Sequence, residues 1–154
     1  QAGTLFHQRG SNDSLARVMD RMRERLHAGR SVAVFPEGGT GTGERLRPFH
    51  ARIFQVAVDT GAVIQPVAII YGDGGRMDLT VPFQRGEKFF PNAWRLLGQR
   101  AMDAEVHFLD PLVPNSDGRR QLAEQSRARI AAVLDSEPVT VSMPTHEATA
   151  DGHA

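Results

Sequence analysis

Two short apolar runs with a helical segment between them constrain the fold of this chain most. Residues 31–35 and 63–71 are apolar and rich in β-branched side chains, as buried strands are. Pro36 ends the first run, because its nitrogen has no hydrogen to donate to a strand ladder. Residues 48–60 carry apolar side chains at helical spacing. The order strand, helix, strand predicts a parallel pair with a right-handed crossover, and so an α/β fold whose mostly parallel sheet is flanked by helices.

Further elements are predicted on both sides of this unit. Before it, an amphipathic helix runs to Gly29, and its apolar stripe consists of Leu15, Val18, Met19, Met22 and Leu26. After it, we expect strands at 78–83 and 105–109 and helices at 92–100 and 117–134. Residues 1–135 should belong to one domain, whereas residues 136–154 lack an apolar pattern and should form a disordered tail.

The composition excludes several classes of protein. The 154 residues include 18 Lys and Arg against 18 Asp and Glu, so there is no overall basic field of the kind that binds nucleic acid. The chain contains no cysteine, which excludes a disulfide framework and a thiolate zinc site. No apolar stretch approaches the ~18 residues that a membrane span requires. These features favour a soluble or peripheral domain.

Charge is unevenly distributed along this neutral chain. Residues 1–52 carry nine Arg against five acids, whereas residues 53–154 carry nine cations against thirteen acids. Seventeen of the 18 cations are Arg, which reflects either the composition of the genome or an anion that the first part faces, because a guanidinium matches the geometry of phosphate. Arg17, Arg21 and Arg25 step by four along the first predicted helix. They form either a solvated face or a contact with anionic lipid head groups.

A glycine-rich segment follows the first predicted strand directly. Residues 37–43 contain four glycines in seven residues, and such a turn at a strand end can direct several backbone N–H groups at one anion. Glu37 is then a carboxylate placed to hold a hydroxyl or an arginine, and a solvated loop is the alternative. A phosphate-binding P-loop is excluded because Glu44 and Arg45, not Lys and Ser or Thr, follow the last glycine. The six histidines lack metal-ligand spacing, so we expect no metal.

The same segment resembles a known family. Phe35-Pro36-Glu37-Gly38, the Gly/Thr run after it and Leu46-Arg47-Pro48-Phe49 look like the third conserved block of the glycerophospholipid acyltransferases, of the 1-acylglycerol-3-phosphate acyltransferase type. Residues 4–10, ending in Arg9 and Gly10, look like the second block. Residues 63–68, centred on Pro66, look like the fourth. The order and separation of the three blocks fit the family.

The resemblance implies transfer of an acyl group from acyl-CoA or acyl carrier protein to the hydroxyl of a lysophospholipid-like acceptor, without a cofactor. By similarity, Arg9 would bind the phosphate or head group of the acceptor. The acceptor site would be lined by Glu37, Gly38, Gly39 and Thr40, and Pro66 would shape the acyl pocket. Members of this kind work at a membrane surface, so we expect peripheral or anchored attachment at the cytoplasmic face.

Two departures from the family pattern stand out. The first block of the family, a His followed five residues later by Asp, supplies the general base and precedes the second block. His7 cannot replace it, because Asn12 stands five residues later. We therefore expect this chain to be the C-terminal part of a longer acyltransferase and nearly inactive alone. In addition, Gly39 and Thr40 occupy positions where many relatives have Thr and Arg, which makes a lyso-aminolipid acceptor possible.

A non-catalytic module that binds phospholipid or nucleotide phosphate is the alternative to the enzyme. It would use the same glycine-rich turn and the arginines of the first helix to bind an anion. A further apolar cluster lies at residues 89–94 and includes Trp94. We expect this cluster to be core or a loop plug, and an interfacial Trp/Phe anchor is the alternative.

Overall fold

The computed structural model describes residues 3–5, 12–72, 76–99, 101–115, 118–136 and 139–140. Its elements follow one another in the order α1 (Asn12–His27), a 3-10 helix (Ala51–Phe54), α2 (Gln55–Thr60), β1 (Val67–Tyr71), β2 (Met77–Asp78), α3 (Phe89–Leu97), β3 (Ala104–Phe108), α4 (Gly118–Ser136) and β4 (Val139–Thr140). The chain thus combines helices and short strands in a mixed α/β arrangement. None of the described helices is long and apolar enough to cross a membrane.

Two pairs of strands are formed. β1 and β3 are antiparallel, with Val67 opposite Phe108 and Tyr71 opposite Ala104. An antiparallel bridge between Ile64 and Leu112 continues this pairing beyond the strand ends. β2 and β4 are parallel and two residues long. β4 lies in the segment predicted to be a disordered tail, and residues 137–138 and 141–154 of that segment are outside the described residues.

The predicted parallel pair of strands is not confirmed. Residues 31–35 form no strand, and the Phe35 side chain at their end is 83% exposed. A strand exists only where a neighbour completes its ladder of hydrogen bonds, and the described residues place no such neighbour beside this run. β1 pairs with β3 instead. Because that pair is antiparallel, the mostly parallel sheet of the prediction is corrected to a small mixed arrangement.

The helices enclose two apolar clusters that share the segment 51–60. On one side, Met19 and Met22 of α1 pack with Val56, and the rest of the predicted α1 stripe lies against them: Leu15, Val18 and Leu26. On the other side, Phe54 packs with Leu112 and with Leu122 and Ala123 of α4. The amphipathic helix predicted over 11–29 is thus confirmed, and α2 connects it to α4.

The predicted helix over 48–60 is present as the 3-10 helix followed by α2. It ends as predicted at Gly61, which adopts a left-handed conformation with φ of +67°. This conformation is strained for residues that carry a Cβ, which is why glycine commonly follows the last helical residue.

The downstream predictions differ from the structure mainly at element ends. α3 begins three residues before the predicted 92–100. β2 is much shorter than the predicted 78–83, whereas β3 and α4 lie within two residues of prediction. Helix ends depend on capping, and strand ends depend on pairing, so both are weakly encoded by local sequence.

Candidate functional site

The first part of the glycine-rich segment is a tight turn closed by backbone contacts. The Gly38 N–H donates to the Phe35 carbonyl at 3.2 Å, and the His50 N–H donates to the Pro36 carbonyl at 2.8 Å. Gly38 is left-handed, with φ of +68°, and a Cβ built on it would lie 2.7 Å from Cδ2 and Nε2 of His50. Both the backbone conformation and the close imidazole therefore require glycine here.

Glu37 closes the glycine-rich loop. Its Oε2 accepts a hydrogen bond from the backbone N–H of Arg47 at 2.9 Å, and its side chain is partly buried. The prediction was that this carboxylate holds a hydroxyl or an arginine. In the structure it holds the main chain of an arginine, and this contact fixes both ends of the loop relative to each other.

The far end of the same loop is held by α4. Arg127 donates from Nη2 to the Leu46 carbonyl at 2.7 Å and from Nε to the Arg47 carbonyl at 3.1 Å. A guanidinium presents several donors in a fixed plane, so one side chain can satisfy two neighbouring carbonyls. This role of Arg127 could not be predicted from local sequence, because the contact joins positions 80 residues apart.

A cavity of about 1050 Å³ adjoins this turn. Pro36 and Gly38 line it together with residues from α1, the segment after it and residues 50–53: Leu15, Val18, Met22, Val32 and Ile53, which are apolar, Arg25 and Arg52, which are cationic, and His50. The Arg52 Nη1 donates to Asn12 Oδ1 at 2.7 Å, which ties the 3-10 helix to the start of α1. The cavity thus offers an apolar lining and a cationic one within the same space.

The structure brings only some of the predicted site residues to this cavity. Gly38 lines it, whereas Glu37, Gly39 and Thr40 lie in the adjoining loop without lining it. Pro66 is buried and accepts a hydrogen bond at its carbonyl from the Leu109 N–H at 3.1 Å, apart from the cavity. Arg9 lies outside the described residues, so its expected proximity to Glu37 stays a prediction.

The arginines of α1 do not act as one face. Arg25 lines the cavity, while Arg21 pairs with Glu24 at 3.1 Å on the surface. Arg23 bridges Asp20 and Asp59, at 2.7 Å each, and so links α1 to α2. Hydrogen bonds from Gln55 and from Arg23 hold the pKa of Asp59 below its ordinary value.

His50 and Arg52 were not predicted as site residues, and Arg25 was predicted only as part of a solvated or lipid-contacting helix face. The excess of arginine in residues 1–52 was the one signal in the sequence, but it could not show which arginines share a cavity. Within the described parts of the chain, no group of three or more His, Asp or Glu side chains could hold a metal ion.

Comparisons with known proteins find acyltransferases. The family model described as Acyltransferase matches residues 1–70. The lyso-ornithine lipid O-acyltransferase of Pseudomonas aeruginosa is 37% identical over 134 residues, which cover 87% of this chain and 52% of that protein. The 1-acyl-sn-glycerol-3-phosphate acyltransferase of Neisseria gonorrhoeae is 30% identical, with 86% and 52% covered. The lyso-ornithine lipid O-acyltransferase of Brucella abortus is also 30% identical, with 86% and 55% covered.

The chain therefore spans about half the length of the curated relatives it matches. No solved structure gives a significant match to it.

Proposed function

We propose that the whole protein transfers an acyl group from an acyl thioester to the free hydroxyl of a lysolipid, because residues 1–70 match the Acyltransferase family model. The acceptor oxygen attacks the thioester carbonyl carbon, and the carbon–sulfur bond breaks. The proton of the hydroxyl passes to a general base and then to the departing thiolate. The base is a histidine of the whole protein outside these residues, and no covalent enzyme intermediate is formed.

One observation in the structure carries this proposal. The turn at Glu37 and Gly38 is held by the hydrogen bond between Glu37 and Arg47. At Gly38 this turn borders a cavity that is lined by both apolar and cationic side chains. A lysolipid has the same two-part chemistry, an acyl chain and a polar head. Arg25, His50 and Arg52 would meet an anionic group of the head, and the apolar lining would meet the chain.

The roles implied by the family resemblance are retained as part of the proposal. Arg9 binds the head group, and Gly39 and Thr40 extend the acceptor site. Glu37 holds the turn in position through Arg47 and borders the acceptor site from the adjoining loop. Pro66, which is buried outside the cavity, keeps its expected role in shaping the acyl pocket.

The acceptor that we favour is a lyso-aminolipid. The relative with 37% identity carries a lyso-ornithine lipid in its name, while the 1-acylglycerol-3-phosphate relative is 30% identical. An amino-acid head group carries a carboxylate instead of a phosphate monoester, and so needs fewer guanidinium contacts. Gly39 and Thr40, in place of Thr and Arg, remove one such contact.

The proposal is tested with the whole protein. Acyl transfer is measured with lyso-ornithine lipid and with lysophosphatidic acid as acceptors, each with acyl-CoA and with acyl carrier protein as donor. We expect turnover with the aminolipid to exceed turnover with the phosphate acceptor. Binding of either lipid without acyl transfer, for both donors, would contradict the enzyme and support the anion-binding module.

The 154-residue chain alone serves as the companion sample. General acid–base catalysis contributes about 10²–10⁴-fold, so we expect the chain alone to be nearly inactive. The coding sequence before Gln1 should contain a His followed five residues later by Asp. We also place the whole protein at the cytoplasmic face of a membrane, where its lipid acceptor is found.

A further inference from the structure

Helix α3 presents an apolar face to solvent. Phe90, Trp94 and Leu97 are 81%, 80% and 81% exposed. At 3.6 residues per turn, positions i, i+4 and i+7 share one side of a helix, so the three side chains form a single stripe. Phe89, next to them, is exposed as well, and its ring packs edge-on against that of Phe90 at 5.6 Å. The prediction that this cluster is core or a plug is therefore wrong.

The opposite side of α3 is polar and faces the protein. Asn92, half a turn from the stripe, is 5% exposed and donates to Glu87 Oε2 at 3.1 Å. Arg95 pairs with the same carboxylate at 2.9 Å and also donates to the carbonyls of Thr80 and Pro82. In a water-facing helix the apolar side packs inward and the polar side faces out. In α3 the polar side faces the protein and the apolar side faces solvent. The hydrogen bonds of Asn92 and Arg95 hold the helix in this orientation.

The cations at the start of α3 do not stabilise the helix itself. Lys88 is the residue before the first turn, is exposed and makes no capping bond with its side chain. A cation at this end opposes the helix dipole, which favours anions there. Arg85, three residues earlier, is exposed too, while Glu87 between them is engaged by Arg95. An exposed basic end thus adjoins the exposed apolar stripe.

We propose that α3 is a lipid-contacting helix that lies in the interface of an anionic bilayer. The stripe of Phe90, Trp94 and Leu97 enters the boundary between head groups and acyl chains, and Lys88 and Arg85 contact anionic head groups. An aromatic and aliphatic stripe flanked by cations matches this boundary, where Trp is favoured at head-group level. The inference stands apart from the acyl-transfer chemistry, because it rests on the exposure and polarity of α3 alone.

Trp94 supplies the direct readout, since it is the one Trp in the 154 residues. Its emission is isolated in the whole protein as the difference between the parent and Trp94→Phe. With vesicles of equal parts phosphatidylcholine and phosphatidylglycerol, we expect a blue shift, and we expect quenching when the acyl chains are brominated. Emission that is already blue-shifted and shielded from iodide without vesicles would overturn the proposal, because another part of the protein or a second copy would then cover α3.

Vesicle sedimentation with matched variants tests the stripe and the basic end separately. Phe90→Glu and Leu97→Glu should each weaken binding about tenfold or more, since burial of one such side chain is lost. Val113→Glu, at an exposed apolar position outside α3, should leave binding unchanged. Lys88→Glu should weaken binding to anionic vesicles more than Arg17→Glu on α1. Equal effects of the α3 variants and their controls would contradict the proposal, whether or not the protein transfers acyl groups.

Discussion

The guanidinium of Arg127, on α4, donates to the backbone carbonyl of Arg47 at 3.1 Å although 80 residues separate the two. The N–H of the same Arg47 donates to Glu37 at 2.9 Å. One residue of the loop is thus held from both sides, by the last long helix and by the carboxylate beside the candidate site. The position of Glu37 therefore depends on α4, which contributes no side chain to the cavity among the residues described.

Arg127→Ala should lower acyl transfer by the whole protein and also its stability. A hydrogen bond from a charged donor to a carbonyl contributes on the order of 1 kcal/mol when partly exposed, which corresponds to a fall of about 2–4 °C in Tm for a domain of this size. Arg120→Ala, at an exposed position on the same helix, is the matched control. If Arg127 positions the loop, Arg127→Lys should recover stability more fully than kcat, because an ammonium lacks the planar fork. Equal recovery of both would indicate a purely structural role.

Gly38→Ala should be more destabilising than Gly61→Ala, and the pair makes a matched comparison. Both glycines are left-handed, with φ of +68° and +67°, so both substitutions incur the same backbone strain of about 1–2 kcal/mol. Only at Gly38 would the new Cβ meet a side chain, His50, at 2.7 Å, whereas nothing lies within 4 Å of a Cβ at Gly61. Chemical denaturation of the two variants measures the difference. When His50→Ala is combined with Gly38→Ala, the extra destabilisation relative to Gly61→Ala should disappear. If the extra destabilisation persists, the contact with His50 is contradicted.

Glu37→Ala should depress acyl transfer about tenfold or more, because a hydrogen bond to a charged group is worth about 1.5–3 kcal/mol. Glu37→Gln keeps an oxygen that can accept from the Arg47 N–H but loses the charge. Glu37→Gln therefore separates two roles of Glu37, because it keeps the turn in position but removes the charge that would contact the acceptor. We expect Arg9→Ala to cause a similar loss. Steady-state kinetics with full turnover in both alanine variants would remove these residues from the site.

Local patterns in the sequence predicted the helices well and the strand pairing poorly. The stripe from Leu15 to Leu26 predicts the buried face of α1, since side chains within two turns of one another decide it. The pairing of β1 with β3 joins positions about 40 residues apart, such as Val67 and Phe108. An apolar run such as residues 31–35 shows that a segment can be a strand, but it does not show which neighbour completes the ladder.

The candidate site was predicted in part for a similar reason. Gly38 could be anticipated from the glycine-rich turn, because a left-handed residue there is a local requirement. Arg52 and Arg127 could not, since their roles arise from packing of the 3-10 helix and α4 against distant segments. For α3 a helix and an apolar cluster were predicted, but the direction in which the apolar side chains face was not. That direction depends on the contacts of Arg95 with Glu87 and with the loop before the helix.

The contact between Glu87 and Arg95 should make the attachment of α3 depend on pH in acid. Hydrogen bonds from Arg95 and from the Gln84 N–H lower the pKa of Glu87 from 4.5 to about 2. Because the folded-state pKa is the lower one, the stabilisation is fully present above pH 4.5 and is lost as the pH falls towards 2.

Trp94, on α3 itself, reports this loss. In the absence of lipid, its emission should be constant above pH 4.5 and change between that value and about pH 2. Glu87→Gln should show the acid form of the emission at neutral pH and should lose the transition in this interval. Glu124→Gln, at an exposed position on α4, should behave like the parent. A transition of unchanged size in Glu87→Gln would show that another group controls the attachment of α3.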